Sequence, residues 1–121
     1  MTQTQNFKHY DLEERTLRFA KRVRDFSRKV PKTLENIEYR KQLIRASGSV
    51  AANYIEANES LSKKDFVMRI KICRKEAKES ELWLNLLFLD SVAALEKECS
   101  ELIQEAVELR KIFGAILEKT K

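Results

Sequence analysis

Leu12, Thr16, Phe19, Val23, Phe26 and Val30 follow one another at alternating intervals of four and three, the period of one helix face. Asp11 and Glu14 read as the start signal of this first helix, and Pro31 as its stop. A second helix is expected from Leu34 after a Thr33 cap, with Ile37, Ile44, Ser47, Ala51 and Tyr54 on its inner stripe and Leu43 and Val50 beside it. The third repeats the spacing at Phe66, Ile70, Cys73, Ala77, Ser80, Leu84 and Leu87. The fourth repeats it at Leu95, Cys99, Leu102, Ala106, Leu109, Phe113 and Ile116. Connections near 30–33, 58–62 and 90–96 are short, which makes sequential helices antiparallel neighbours. The pattern therefore predicts an all-α, up-down-up-down four-helix bundle, one domain over 1–121 with residues 1–10 as a loosely packed N-terminal arm.

Punctuation between the second and third helices is legible in QLIRASGSVAANYIEANESLSKKDF, residues 42–66. Small side chains at Ala46, Ser47, Gly48, Ser49, Ala51 and Ala52 predict a face that another backbone approaches closely. That approach would explain Gly48, which costs about 1 kcal/mol against Ala inside a helix. Asn58 is suited to the left-handed conformation that ends a helix, and Ser62 with Asp65 forms a capping-box variant that starts the next.

The same region carries a resemblance. Gln42, Arg45-Ala46, Ser49-Val50, Asn53-Tyr54-Ile55-Glu56, Asp65-Phe66, then Lys75-Glu76-Ala77-Lys78-Glu79-Ser80 and Trp83-Leu84, together resemble the bacterial four-helix bundle family encoded in intervening sequences of 23S ribosomal RNA genes. The accessory protein of diversity-generating retroelements is a relative in that family. The resemblance covers essentially the whole chain and implies a homopentameric ring. Where the family commonly ends its second helix with Glu-Gly, this chain has Glu56-Ala57-Asn58.

Composition agrees with helix: there are two glycines and one proline in 121 residues, too few for a turn-rich β fold. A charged fraction of 36% and a mean hydropathy of −0.50 point to a soluble protein. The longest apolar run, 82–95, is broken by Asn85 and Asp90 and is shorter than the ~20 residues of a membrane span. MTQTQNFKHYDLEER has no apolar core of a secretory signal, so a cytoplasmic location without membrane association is expected. Cys73 and Cys99 would stand far apart on antiparallel helices, and read as buried thiols.

Residues 82–89, LWLNLLFL, are apolar around nearly the whole circumference of a helix, more than one bundle core requires. Either this half-helix is the centre of the monomer, or Leu82, Trp83, Leu86 and Leu89 cover another subunit. Self-association is the preferred reading.

Catalytic chemistry has little to stand on. The single histidine, His9, precedes the helical stripes, so neither a Glu-x-x-His di-metal site nor a His-based triad can be assembled. Cys-x-x-Cys, Walker and dinucleotide-binding glycine motifs are missing. No catalytic, cofactor or metal site is expected, and carboxylates such as Glu76, set among Lys75 and Lys78, read as solvated. Arg45, Asn53 and Glu56 are expected to hold helix register rather than perform chemistry.

The formal charge of +5 is unevenly spread. Residues 11–30 hold seven basic against four acidic side chains and residues 62–89 again seven against four, whereas 90–121 hold five against seven. Arg15, Arg18 and Arg22 on the first helix, and Lys71, Arg74, Lys75 and Lys78 on the third, are the expected phosphate contacts. The bland alternative pairs Arg18 with Glu14 and Lys75 with Glu79 at helical spacing. Without an aromatic platform or base-reading motif, binding would be to backbone. A ring of five chains would carry about +25, five times +5, and draw polyanions strongly at low salt. The sequence is thus read as a non-enzymatic, nucleic-acid-associated accessory protein that contacts RNA or DNA. A scaffolding module for another protein is the alternative.

Overall fold

Long runs of good helix formers, interrupted only by capping residues, give four helices in this computed structural model, which describes the backbone of residues 2–121 and the side chains of 12–121. They are α1 (Thr2–Ser27), α2 (Leu34–Asn58), α3 (Lys63–Leu86) and α4 (Ala93–Lys119), and no strand occurs among the described residues. The expected N-terminal arm and the side chains of His9 and Asp11 lie outside the described side chains. Because α1 is carried back to Thr2, Asp11 and Glu14 are not its first turn.

Caps fix the other starts. Thr33 Oγ1 accepts the Asn36 N–H at 3.1 Å to open α2, and Ser62 Oγ accepts the Asp65 N–H at 3.1 Å to open α3. Each satisfies an N–H that has no partner within its own helix. Asn58 does not end α2 in the left-handed conformation: Glu59 closes it with φ −97°, its N–H reaching the Ile55 and Glu56 carbonyls. Asn58 turns its amide instead onto the Glu13 carboxylate at 2.7 Å.

Polar contacts between neighbours fix the direction of each helix. Asn58 meets Glu13 and Arg40 donates to the Ser27 carbonyl, joining opposite ends of α1 and α2. Cys73 Sγ donates to the Val50 carbonyl, and Arg45 meets Glu76, between α2 and α3. Cys99 Sγ donates to the Leu84 carbonyl, and Arg110 meets Glu81, between α3 and α4. Arg15–Glu105 and Lys29–Glu98 close α1 on α4. In every pair the numbering rises on one helix as it falls on the other, so the bundle is antiparallel throughout. Among the described residues the diagonal helices make no close backbone approach.

The five stripe residues of α1 from Leu12 to Phe26 are buried, as is Val30 beyond the helix end at Ser27, and so are those of α3 from Ile70 to Leu84 with its C-cap Leu87 and of α4 from Cys99 to Phe113. The phase of α2 differs from expectation. Leu43, Ala46, Ser47, Val50, Tyr54 and Ala57 face the core, whereas Ile44 is about half exposed. Gly48 lies on the outer side, and a Cβ added there would meet nothing within 4 Å, so no backbone of this chain approaches it. The two thiols are free and buried among apolar neighbours, which pushes Cys73 up to about 12 and Cys99 up to about 11; both stay protonated at neutral pH.

The third helix stops earlier than its apolar run. Leu87 is the C-cap, and Phe88 and Leu89 belong to the loop. Asn36, fully buried at the start of α2, causes this: its Nδ2 donates to the Pro31 and Phe88 carbonyls at 2.9 and 2.8 Å, and its Oδ1 accepts the Phe88 N–H at 2.9 Å. A tight turn follows, closed by the Val92 N–H on the Leu89 carbonyl at 3.1 Å, with Asp90 and Ser91 both at φ 56°. Left-handed backbone costs an ordinary L-residue about 1–2 kcal/mol. Ser91→Gly is therefore expected to stabilise the protein by about 1 kcal/mol, read as a raised thermal midpoint. Among the described residues no helix is long and apolar enough to cross a membrane.

Candidate nucleic-acid interface

Spacings of three, one and three put Lys71, Arg74, Lys75 and Lys78 on one exposed face of α3. Antiparallel packing brings the last third of α4 alongside, and Arg110, Lys111 and Gly114 complete a groove of about 510 Å³ with those four residues. Among the described residues, Lys71, Arg74, Lys75, Lys78 and Lys111 pair with no carboxylate. Five cations gathered with no carboxylate paired to any of them repel one another, and an anion relieves that repulsion. Lys75 keeps clear of Glu79, which Arg45 holds at 3.1 Å.

Toward the C-terminal end of α3 the groove continues into a section of about 680 Å³ lined by Glu79, Glu81, Leu82 and Asn85, with Lys75, Lys78 and Arg110 common to both sections. The buried Arg110 Nε lies 3.4 Å from Glu81 Oε1, an ion pair between the two helices. The sequence reading found the α3 half and missed Arg110, Lys111 and Gly114, because α4 as a whole is net acidic.

The expected stripe on α1 is not an open one. Arg15 forks onto Glu105 at 2.7 and 2.9 Å, both partners partly buried, Arg22 lies 4.0 Å from Glu101, and Lys29 meets Glu98 at 2.6 Å. The acidic excess of α4 is what these cations face. Arg18 is exposed and does not pair with Glu14, but it stands apart from the α3 cluster across the bundle diagonal.

Arg45, Asn53 and Glu56 belong to a polar ladder between α2 and α3. Arg45 meets Glu76 at 3.2 and 3.4 Å, Ser49 Oγ donates to the same carboxylate at 3.3 Å, and Asn53 donates to the Ser49 Oγ and carbonyl at 2.9 Å. Arg69 then joins Asn53 at 2.9 Å to Glu56 at 3.8 Å. Glu76 is only 6% exposed, so the expectation of a solvated carboxylate is wrong for it. No three potential metal ligands converge among the described residues.

Of the four residues expected to cover another subunit, Leu82 and Leu86 are exposed, at 49% and 43%. Trp83 is half-buried and stacked on Tyr39 with centroids 6.1 Å apart, and Leu89 is half-buried against the chain's own core. Phe88 and Val92, in the loop that follows, extend the exposed apolar end.

Residues 8–115 match the family model described as 23S rRNA-intervening sequence protein. Among solved structures, the bundle resembles a protein of unknown function from the S23 ribosomal protein family of Bacteroides thetaiotaomicron. That likeness has a TM-score of 0.76 and 26% identity, over 88% of this chain and 97% of the other. No curated protein matches.

Proposed function

This chain belongs to the family of 23S rRNA-intervening sequence proteins, and from that premise we propose that it is a non-enzymatic accessory module whose α3/α4 groove holds the phosphate backbone of RNA or DNA. One observation carries the reading: five cations with no carboxylate partner among the described residues share a groove between two rigid helices. Lysines and arginines that displace condensed counterions supply the sequence-independent part of nucleic-acid binding. Without an aromatic platform in the groove, affinity should be tolerant of sequence.

The test replaces Lys71, Arg74 and Lys75 together by Gln. Affinity for a mixed-sequence RNA at about 50 mM salt, where electrostatic contacts are weakly screened, is expected to fall at least tenfold with helicity unchanged. Arg18→Gln, on the far side of the bundle, is expected to change it less than about twofold. A triple variant that binds like wild type sinks the proposal, and a wild type that binds no nucleic acid favours the protein-scaffold alternative.

The exposed cluster of Leu86, Phe88 and Val92 supports a second element of the reading, self-association through the α3–α4 end, with five as the count that the family resemblance implies. Leu86→Glu would bury a charge in such an interface, and is expected to shift the protein to monomer in size-exclusion chromatography with light scattering. A monomeric wild type would contradict it.

A further inference from the structure

We infer that the α3/α4 groove accepts a single strand in preference to a duplex, an inference that rests on the backbone-binding reading above. Stiffness is the first argument. The cationic section is a shallow valley over the line where two packed helices meet, and a flexible single strand can bend to follow it. A duplex, stiff over about 50 nm, cannot settle into the valley and would touch only the outer tips of the cations.

Gly114 is the second. It lies within α4, lines the cationic section, and has no positive φ to explain it. A Cβ added there would meet nothing within 4 Å, so packing inside the chain does not require a glycine either. What the missing side chain leaves is open space beside Lys71, Arg74 and Lys111, where the backbone of a ligand can come close to the helix.

The composition of the second section is the third argument. Leu82, half exposed, stands next to Asn85, and Arg110, its Nε 3.4 Å from Glu81, marks the junction with the cationic section. Glu79 and Glu81 also line this section, and both are already held by arginines. A single strand has unstacked bases to lay against Leu82 and polar edges for the Asn85 side-chain oxygen and for the amide hydrogen not held by the Glu81 carbonyl at 2.9 Å, whereas a duplex keeps its faces stacked inside. Phosphates on the cationic section and a base on the apolar one is the arrangement that uses both.

The experiment measures fluorescence anisotropy of a labelled 15-nucleotide RNA, the DNA of the same sequence, and the blunt DNA duplex, at equal salt. Either single strand is expected to bind about tenfold tighter than the duplex. Gly114→Leu, which fills the open space, is expected to weaken the strand about tenfold while raising the thermal midpoint by a few degrees, since leucine is the better helix former. Misfolding cannot produce both changes. Leu82→Ser is expected to weaken the strand about fivefold and leave the duplex unaffected. A duplex that binds as tightly as the strand overturns the inference, and so does a Gly114→Leu variant that holds the strand like wild type. If the duplex binds and the triple Gln variant releases it, the backbone reading stands and only the strand preference fails. If neither ligand binds wild type, both fail.

Discussion

Replacing Asn36 by Ala is expected to cost about 3 kcal/mol of folding stability, the largest loss of any single polar substitution in this bundle. The side chain is fully buried and makes three hydrogen bonds to backbone, two to carbonyls and one to the Phe88 N–H. Alanine would leave all three groups without their partner, and each buried group so stranded costs about 1–3 kcal/mol. Water entering beside the exposed Phe88 ring recovers part, which keeps the total below the sum. Thr33→Ala removes only the cap on the Asn36 N–H and is expected to cost about 1 kcal/mol. Urea unfolding followed by circular dichroism separates the two variants; an Asn36→Ala midpoint close to that of Thr33→Ala would contradict the assignment.

Arg45→Ala is expected to cost about 2 kcal/mol, less than the 3–5 typical of a fully buried pair because Arg45 itself is half in water. The loss comes from Glu76, whose side chain is 7% exposed and would keep only the Ser49 hydroxyl at 3.3 Å. Adding Glu76→Gln to Arg45→Ala is therefore expected to restore stability, since a neutral amide tolerates burial better than a stranded carboxylate. Strict additivity of the two substitutions in a double-mutant cycle would show that the pair does not act as one unit.

The sequence carried most of this architecture because α1, α3 and α4 each have one dominant apolar stripe. On α2 it misled. Ile44 outweighs Ala46 and Ser47 in hydropathy, and small side chains do not reveal which side they face until α3 packs on Leu43 and Val50. The end of α3 was hidden for a different reason. LWLNLLFLD has no glycine or proline to stop a helix, and the stop at Leu86 comes from Asn36, 52 residues from Phe88 in the chain. Glu76 looked solvated because its sequence neighbours are lysines, while its partners, Arg45 and Ser49, belong to α2. Half of the candidate groove was readable as helical spacing. The other half, Arg110, Lys111 and Gly114, sits in an acidic helix of which Glu98, Glu101 and Glu105 turn toward α1, so that counting charge per helix conceals a basic edge.

The salt dependence of RNA binding tests the central claim most directly. Five unpaired groove cations acting together are expected to give a plot of log K against log salt with a slope of about −3.5 for a single strand, at about −0.7 per neutralised phosphate. The Lys71→Gln, Arg74→Gln, Lys75→Gln variant leaves two of the five and is expected to give about −1.4. Equal slopes for the two proteins would contradict a groove-centred interface.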